Sequence, residues 1–139
     1  MSDLERAISI AVKAHEGQLD KAGCPYILHP LRLMFKFKTP DEMVVAVLHD
    51  VVEDSSVTLG FLKDSGFSSV VVDAIESLTK VAGEPYEDFL LRVSSNEMAR
   101  KVKIEDIKDN LDLSRLGALS DEDLVRIKKY HKALVYLSI

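Results

Sequence analysis

The stretch Met43-Val44-Val45-Ala46-Val47-Leu48-His49-Asp50-Val51-Val52-Glu53-Asp54 decides how this chain folds. Six apolar residues run without a break into a segment holding four groups that can bind a metal ion or move a proton. Thr39-Pro40-Asp41-Glu42 ahead of them is a strong helix start, with proline in the first turn. The spacing predicts a single helix over about residues 40–54. Residues on a helix advance about 100° each, which stacks His49 with Glu53 and sets Asp50 and Asp54 beside them, all within an arc of about 140°. A solvated polar face is the plainer reading of such an arc. The apolar lead points instead to a mostly buried helix, where carboxylates need a cation or a hydrogen-bond partner.

Working outward, every other segment also reads as helix or turn. Ser2 or Asp3 can cap a first helix with Leu4, Ala7, Ile8, Ala11 and Ala14 at helical spacing, His15 extending the stripe and Gly17 ending it. Residues 18–25 form a loop, and a short helix runs from about Pro30 to Phe37. Thr58 caps a helix to about Asp64, and Ser68 or Ser69 caps another through Lys80. Helices follow from Pro85 to Val93, and from Ser95 or Asn96 to about Leu111. Ser120-Asp121-Glu122-Asp123 is a capping box for a last amphipathic helix. Val70-Val71-Val72 is the best strand candidate, but it sits between a serine cap and a helical stripe. The expected fold is all-α, a bundle of about seven or eight helices. Ala22-Gly23-Cys24-Pro25-Tyr26 is echoed by Ala82-Gly83-Glu84-Pro85-Tyr86, through chance or through two similar turns.

With 139 residues the length fits one domain with a real core. The net charge of −5 and the lack of a basic block argue against binding a nucleic acid polymer. One cysteine, Cys24, excludes an intrachain disulfide and fits a reducing compartment. No apolar run has the length of a membrane span, and the N-terminus lacks a signal-peptide layout, so a soluble cytoplasmic protein is expected. The apolar end of the last helix, Tyr136-Leu137-Ser138-Ile139, could support a homodimer.

His29, held before Pro30 in a restricted backbone, joins His49 and Asp50 as candidate ligands. A fourth should come from a later helix, and Asp106 is the best candidate. In Lys103-Ile104-Glu105-Asp106-Ile107-Lys108-Asp109-Asn110, Asp106 shares a face with Asn110 and Lys103. An exposed helix of Lys/Asp pairs accounts for Glu105, Lys108 and Asp109 but not for Asn110. Two imidazoles and two carboxylates suit a divalent ion such as Mn²⁺, Fe²⁺ or Zn²⁺, and they lack the thiolates of a structural zinc site. Glu53 and Asp54 are placed to orient or deprotonate a water, or to protonate a leaving oxygen. Lys21 and Lys103 could neutralise phosphate charge, and Asn110 could bind a base or sugar edge. The reaction class is metal-assisted hydrolysis of a phosphoester. His131, among Lys128, Lys129 and Lys132, reads as solvated.

His29-Pro30, His49-Asp50-x-x-Glu53-Asp54 and Lys103-x-x-Asp106-x-x-x-Asn110 together resemble the HD-domain hydrolases of the RelA/SpoT type. Some of these are small stand-alone proteins, and they remove the 3′-pyrophosphate of (p)ppGpp. The likeness extends to Ala14-His15-x-Gly17-Gln18 and Lys21-x-Gly23-x-Pro25-Tyr26, and it covers roughly residues 7 to 116. It implies a single HD domain over residues 1–139, an all-α bundle and Mn²⁺ as the usual ion. His29, His49, Asp50 and Asp106 match the metal ligands, and Glu53 and Asp54 match the acidic pair assigned to water activation. Lys21 and Asn110 match pocket positions, while His15 matches a supporting histidine that is not a ligand. Asp20 stands where such hydrolases usually carry an arginine that stacks on guanine. Hydrolysis of another nucleotide or phosphomonoester, and non-catalytic nucleotide sensing, therefore stay open beside (p)ppGpp hydrolysis.

Overall fold

The computed structural model describes residues 1–139, and its order follows from where helices can be capped. Helix α1 (Asp3–Ala14) starts on a capping box between Ser2 and Glu5. Next come α2 (Leu28–Met34), α3 (Pro40–Leu48), α4 (Val51–Asp54) and α5 (Leu59–Asp64). The chain continues through α6 (Ser69–Leu78), α7 (Tyr86–Ser94), α8 (Glu97–Asn110) and α9 (Asp121–Leu137). Thr39, Thr58, Ser68, Asn96 and Ser120 each accept a backbone N–H at a helix N-terminus, which satisfies a donor that has no partner inside the helix. There is no strand, only an isolated bridge between Leu19 and Pro25, so the fold is all-α. Val70–Val72 is helical, within α6.

The organising element is α3. Val44, Val45, Ala46, Val47 and Leu48 are each at most 1% exposed, so this helix is apolar all round and sits inside the molecule. It packs against α1, α2, α6 and α8. Ala7 and Ala11, both fully buried on α1, let that helix approach closely. The core gathered around α3 comprises 25 buried apolar residues.

The expected helix over 40–54 is in fact two helices. α3 stops at Leu48, Asp50 leaves helical geometry at φ −125° and ψ 10°, and α4 makes one further turn. In a continuous helix the Asp50 N–H would bond the Ala46 carbonyl, but the His49 ring Nδ1–H donates to that carbonyl at 2.8 Å. A side chain inserted into the helical ladder breaks it there. His49 and Glu53 therefore do not share one helical face, and the 140° arc does not exist.

Both Ala-Gly-x-Pro-Tyr segments are tight turns with glycine at positive φ, Gly23 at 83° and Gly83 at 79°. The second is locked by Arg92, which forks onto Glu84 (2.8 Å from both Nε and Nη2) and donates to the carbonyls of Glu76 and Thr79 at the end of α6. No helix is long and apolar enough to cross a membrane.

Two consequences can be measured. Leu48→Ala, at a fully buried position of α3, should lower the free energy of unfolding by about 2–5 kcal/mol in urea melts of the metal-free protein. The Arg92 fork holds the Glu84 carboxyl down to about 2, from an ordinary 4.5. A carboxylate depressed in the folded state stabilises above its unfolded pKa and loses that contribution as the pH falls towards the folded one. The stability difference between the native chain and Glu84→Gln should thus be constant above about pH 5 and shrink between pH 4.5 and 2.

Candidate metal centre and active site

Four elements meet at the C-terminal end of α3. His49 and Asp50 occupy the break between α3 and α4, His29 comes from the first turn of α2, and Asp106 comes from α8. All four are buried. Ligand atoms of His29, His49 and Asp50 lie within 4.8 Å of one another. Asp106 Oδ1 is 2.9 Å from His29 Nε2 and 3.4 Å from His49 Nε2, so the expected fourth ligand adjoins the same point. The His29 and His49 rings meet edge-on with centroids 5.2 Å apart.

The second nitrogen of each ring is already occupied. A carbonyl only accepts, so the bond to Ala46 fixes the proton of His49 on Nδ1 and turns Nε2 towards Asp50 and Asp106. His29 Nδ1 bonds Asp109 Oδ2 at 2.6 Å. His15, buried at the end of α1, has Nδ1 2.8 Å from Gln18 Oε1, and Gln18 Nε2 donates to the Asp54 carbonyl at 2.9 Å. The His15 Nε2 atom then faces Asp50 Oδ1 at 3.2 Å. That approach is too oblique for a hydrogen bond, and both atoms are buried without one. The other Asp50 oxygen takes the Tyr26 hydroxyl.

Charge decides what the cluster needs. Asp50, Asp106 and Asp109 are three carboxylates at least partly buried, and only two permanently cationic side chains bond them closely, Lys103 on Asp106 (2.8 Å) and Arg32 on Asp109 (2.9 Å). His29, despite burial, which disfavours its charge, is raised to about 9 by its bonds to Asp106 and Asp109. Burial likewise opposes the charges of Asp50 and Asp106, but surrounding cationic and hydrogen-bonding groups hold both below the ordinary carboxylate range. A buried carboxylate oxygen without a hydrogen bond, beside imidazole nitrogens oriented by other groups, is a donor set that fits a divalent cation.

The acidic pair sits at the rim. Glu53, exposed on α4, accepts the backbone N–H of Lys80. Asp54 groups with His15 and Asp50, their ligand atoms again within 4.8 Å. Its carboxyl is raised, by burial although the residue keeps open surface, and by the negative charges of Asp50 and Glu53.

A cleft of about 320 Å³ opens beside the cluster, with Tyr26 and His29 in its wall. Of the substrate-binding candidates, Lys21 and Asn110 line it. Lys103 does not. Its ammonium, on a side chain only 14% exposed, bonds Asp106 and lies 5.4 Å from the centre of the Phe89 ring. Asn110 reaches back to Asp106 Oδ1 at 3.1 Å as well. Arg32, Arg115 and Arg126 also line the cleft, and sequence reasoning missed all three. It also read Asp109 as part of a solvated face, whereas the structure packs that residue against His29 and Arg32. Arg32, three residues after His29, could have been found by extending the His29-Pro30 stretch one turn. Asp20 does not project freely into the cleft: its Oδ1 accepts the N–H groups of Ala22 and Cys24, each at 2.9 Å, and closes its own loop. His131 is exposed, as expected.

No family model matches the chain. It is 28% identical over 121 residues to the guanosine-3′,5′-bis(diphosphate) 3′-pyrophosphohydrolase of Aquifex aeolicus, covering 78% of this chain and 17% of that protein. To the protein of the same description from Vibrio cholerae it is 32% identical over 110 residues, covering 76% of this chain and 15% of the relative. To the bifunctional (p)ppGpp synthase/hydrolase SpoT of Escherichia coli it is 33% identical over 89 residues, covering 61% and 12%. The chain thus spans less than a fifth of the length of these curated relatives. Among solved structures, a metazoan ortholog of SpoT that hydrolyses ppGpp superimposes with a TM-score of 0.80 at 18% identity, over 99% of this chain and 85% of that one. In sequence the chain is similar to a segment of proteins described as (p)ppGpp 3′-pyrophosphohydrolases and as a synthase/hydrolase, and in fold it matches a SpoT ortholog.

Proposed function

We propose that this chain is a metal-dependent phosphohydrolase that removes the 3′-pyrophosphate of (p)ppGpp. The observation that carries this reading is the convergence of His29, His49 and Asp50 within 4.8 Å, with Asp106 against both rings, beside a nucleotide-sized cleft whose wall includes His29. Relatives described as 3′-pyrophosphohydrolases support the substrate.

His29, His49, Asp50 and Asp106 would hold the ion, Mn²⁺ by resemblance, with Fe²⁺ or Zn²⁺ as alternatives. When bound, a divalent ion there polarises a phosphoryl oxygen and makes a water easier to deprotonate. The remaining work falls to side chains. Asp54, whose raised carboxyl makes it a stronger base than an ordinary aspartate, takes the proton of the attacking water and passes it to the departing 3′-oxygen. Glu53, fixed by the Lys80 N–H, orients that water. The new bond forms at the 3′-phosphorus as the bond to the ribose 3′-oxygen breaks, leaving pyrophosphate and a 3′-hydroxyl. Lys21, Asn110 and Arg115 line the path of the substrate. Lys103 serves Asp106 rather than the phosphates.

One observation favours a second substrate. Lys21, Arg32, Arg115 and Arg126 in the cleft are matched in number by Asp20, Asp109, Asp112 and Asp123, so its lysine, arginine and aspartate side chains balance in charge. That balance suits a less highly charged nucleotide or a phosphomonoester as well as (p)ppGpp. The setting we assign is the cytoplasm, and the exposed apolar residues Val125, Val135 and Tyr136 on α9 support a homodimer.

Purified protein with Mn²⁺ and ppGpp should release pyrophosphate and GDP, and Glu53→Ala and Asp54→Asn should each lower kcat by about 10²–10⁴-fold. Release no faster than from Glu53→Ala, with turnover of another nucleotide in a parallel panel, selects the second substrate. Asp106→Ala should abolish stoichiometric Mn²⁺ binding in calorimetry while circular dichroism stays helical, and full occupancy in that variant would remove Asp106 from the ligand set.

A further inference from the structure

The proposed ligands do not include Asp109, yet the side chains of His29 and Arg32 together engage both of its carboxylate oxygens. It stands one turn after Asp106 on α8 and bridges to α2, nearly 80 positions away in sequence. Oδ1 takes Arg32 Nε at 2.9 Å, while Oδ2 takes Arg32 Nη2 at 2.9 Å and His29 Nδ1 at 2.6 Å. Arg115 Nη2 approaches Oδ2 at 3.6 Å from the turn after α8, and the same guanidinium donates to the Asp109 backbone carbonyl at 2.9 Å. The aspartate side chain is 14% exposed.

An exposed ion pair contributes little and tolerates loose geometry. Here the planar fork of Arg32 fixes both carboxylate oxygens, which leaves Oδ2 one direction in which to face the imidazole. An imidazole gripped at Nδ1 cannot turn about its Cβ–Cγ bond, so its Nε2 points where the ring is aimed, towards Asp106 and the ligand atoms of His49 and Asp50.

We propose that Asp109 is a positioning residue of the metal centre. Clamped by Arg32 and steadied by Arg115, it orients His29 through Nδ1–H and presents Nε2 as a ligand to a divalent cation. A carboxylate behind a metal-bound histidine typically changes metal affinity about 10- to 100-fold. Because Arg32 and Arg115 also line the cleft, the clamp runs from the substrate wall to the ligand. This inference rests on the metal reading of the site.

Mn²⁺ titrated by calorimetry into the native chain, Asp109→Asn, Arg32→Lys and Asp106→Ala tests it, with thermal melts of each metal-free protein as the check on folding. Asp109→Asn should bind Mn²⁺ about 10- to 100-fold more weakly. Arg32→Lys keeps the charge and loses the fork, and it should show a smaller loss in the same direction. In ¹⁵N-histidine spectra of the Zn²⁺-loaded native chain, His29 should be protonated at Nδ1 and metallated at Nε2. Unchanged affinity in Asp109→Asn, with binding lost in Asp106→Ala, overturns the inference and leaves the metal reading standing. No Mn²⁺ binding by the native chain overturns both. If Asp109→Asn does not fold, Arg32→Lys decides, and unchanged affinity there, or a metallated Nδ1 on His29, overturns the proposal.

Discussion

The burial of a charged cluster at the end of an apolar helix constrains everything else in this molecule. Buried charges cost several kcal/mol each unless partners surround them, and α3 delivers His49 and Asp50 straight out of the core. Compensation has to come from other elements, and each neighbour of α3 except α6 supplies some. His15 at the end of α1 faces Asp50, His29 and Arg32 project from α2, and Lys103, Asp106 and Asp109 come from α8. The interhelical geometry of the bundle is therefore tied to the site. A shift of α8 would separate Asp106 from two imidazoles and Asp109 from its arginine together.

The break between α3 and α4 follows from the same constraint. By bonding Ala46, His49 ends the helix that carries it, and this single contact sets its tautomer and redirects the chain so that Asp50 turns inward while Glu53 reaches the rim. The rim is built by a second network. Arg92 ties the end of α6 to Glu84, and the backbone it braces offers the Lys80 N–H to Glu53. The candidate ligands and Glu53 are thus positioned by separate supports, one buried and ionic, the other a braced turn near the surface.

Residues with a local signature were legible in the sequence. Helix N-caps are satisfied within three residues, so Thr39, Thr58 and Ser120 announce their helices without help from the rest of the chain. His29, His49, Asp50 and Asp106 were legible because their side-chain chemistry has few other uses in an apolar setting. The helix over 40–54 misled because periodicity counts side chains and cannot see an imidazole taking a backbone acceptor. Lys103 and Asp109 show the limit best. Both are charged residues on α8, read as a phosphate ligand and as solvated surface, but one neutralises Asp106 inside the protein and the other grips His29.

By itself the sequence determined an all-α fold built around residues 43–48, the positions of most helix starts, and a set of imidazoles and carboxylates suited to a divalent ion. Those follow from hydrophobic pattern, capping and ligand chemistry, all of which act over a few residues. The tertiary structure alone decided which nitrogen each histidine presents, where α3 stops, which cations answer which carboxylates, and that the cleft is lined by arginines from α2, α9 and the turn after α8. Each of these depends on contacts between residues up to about 80 positions apart, and a charge carries no mark in sequence of the partner it will meet.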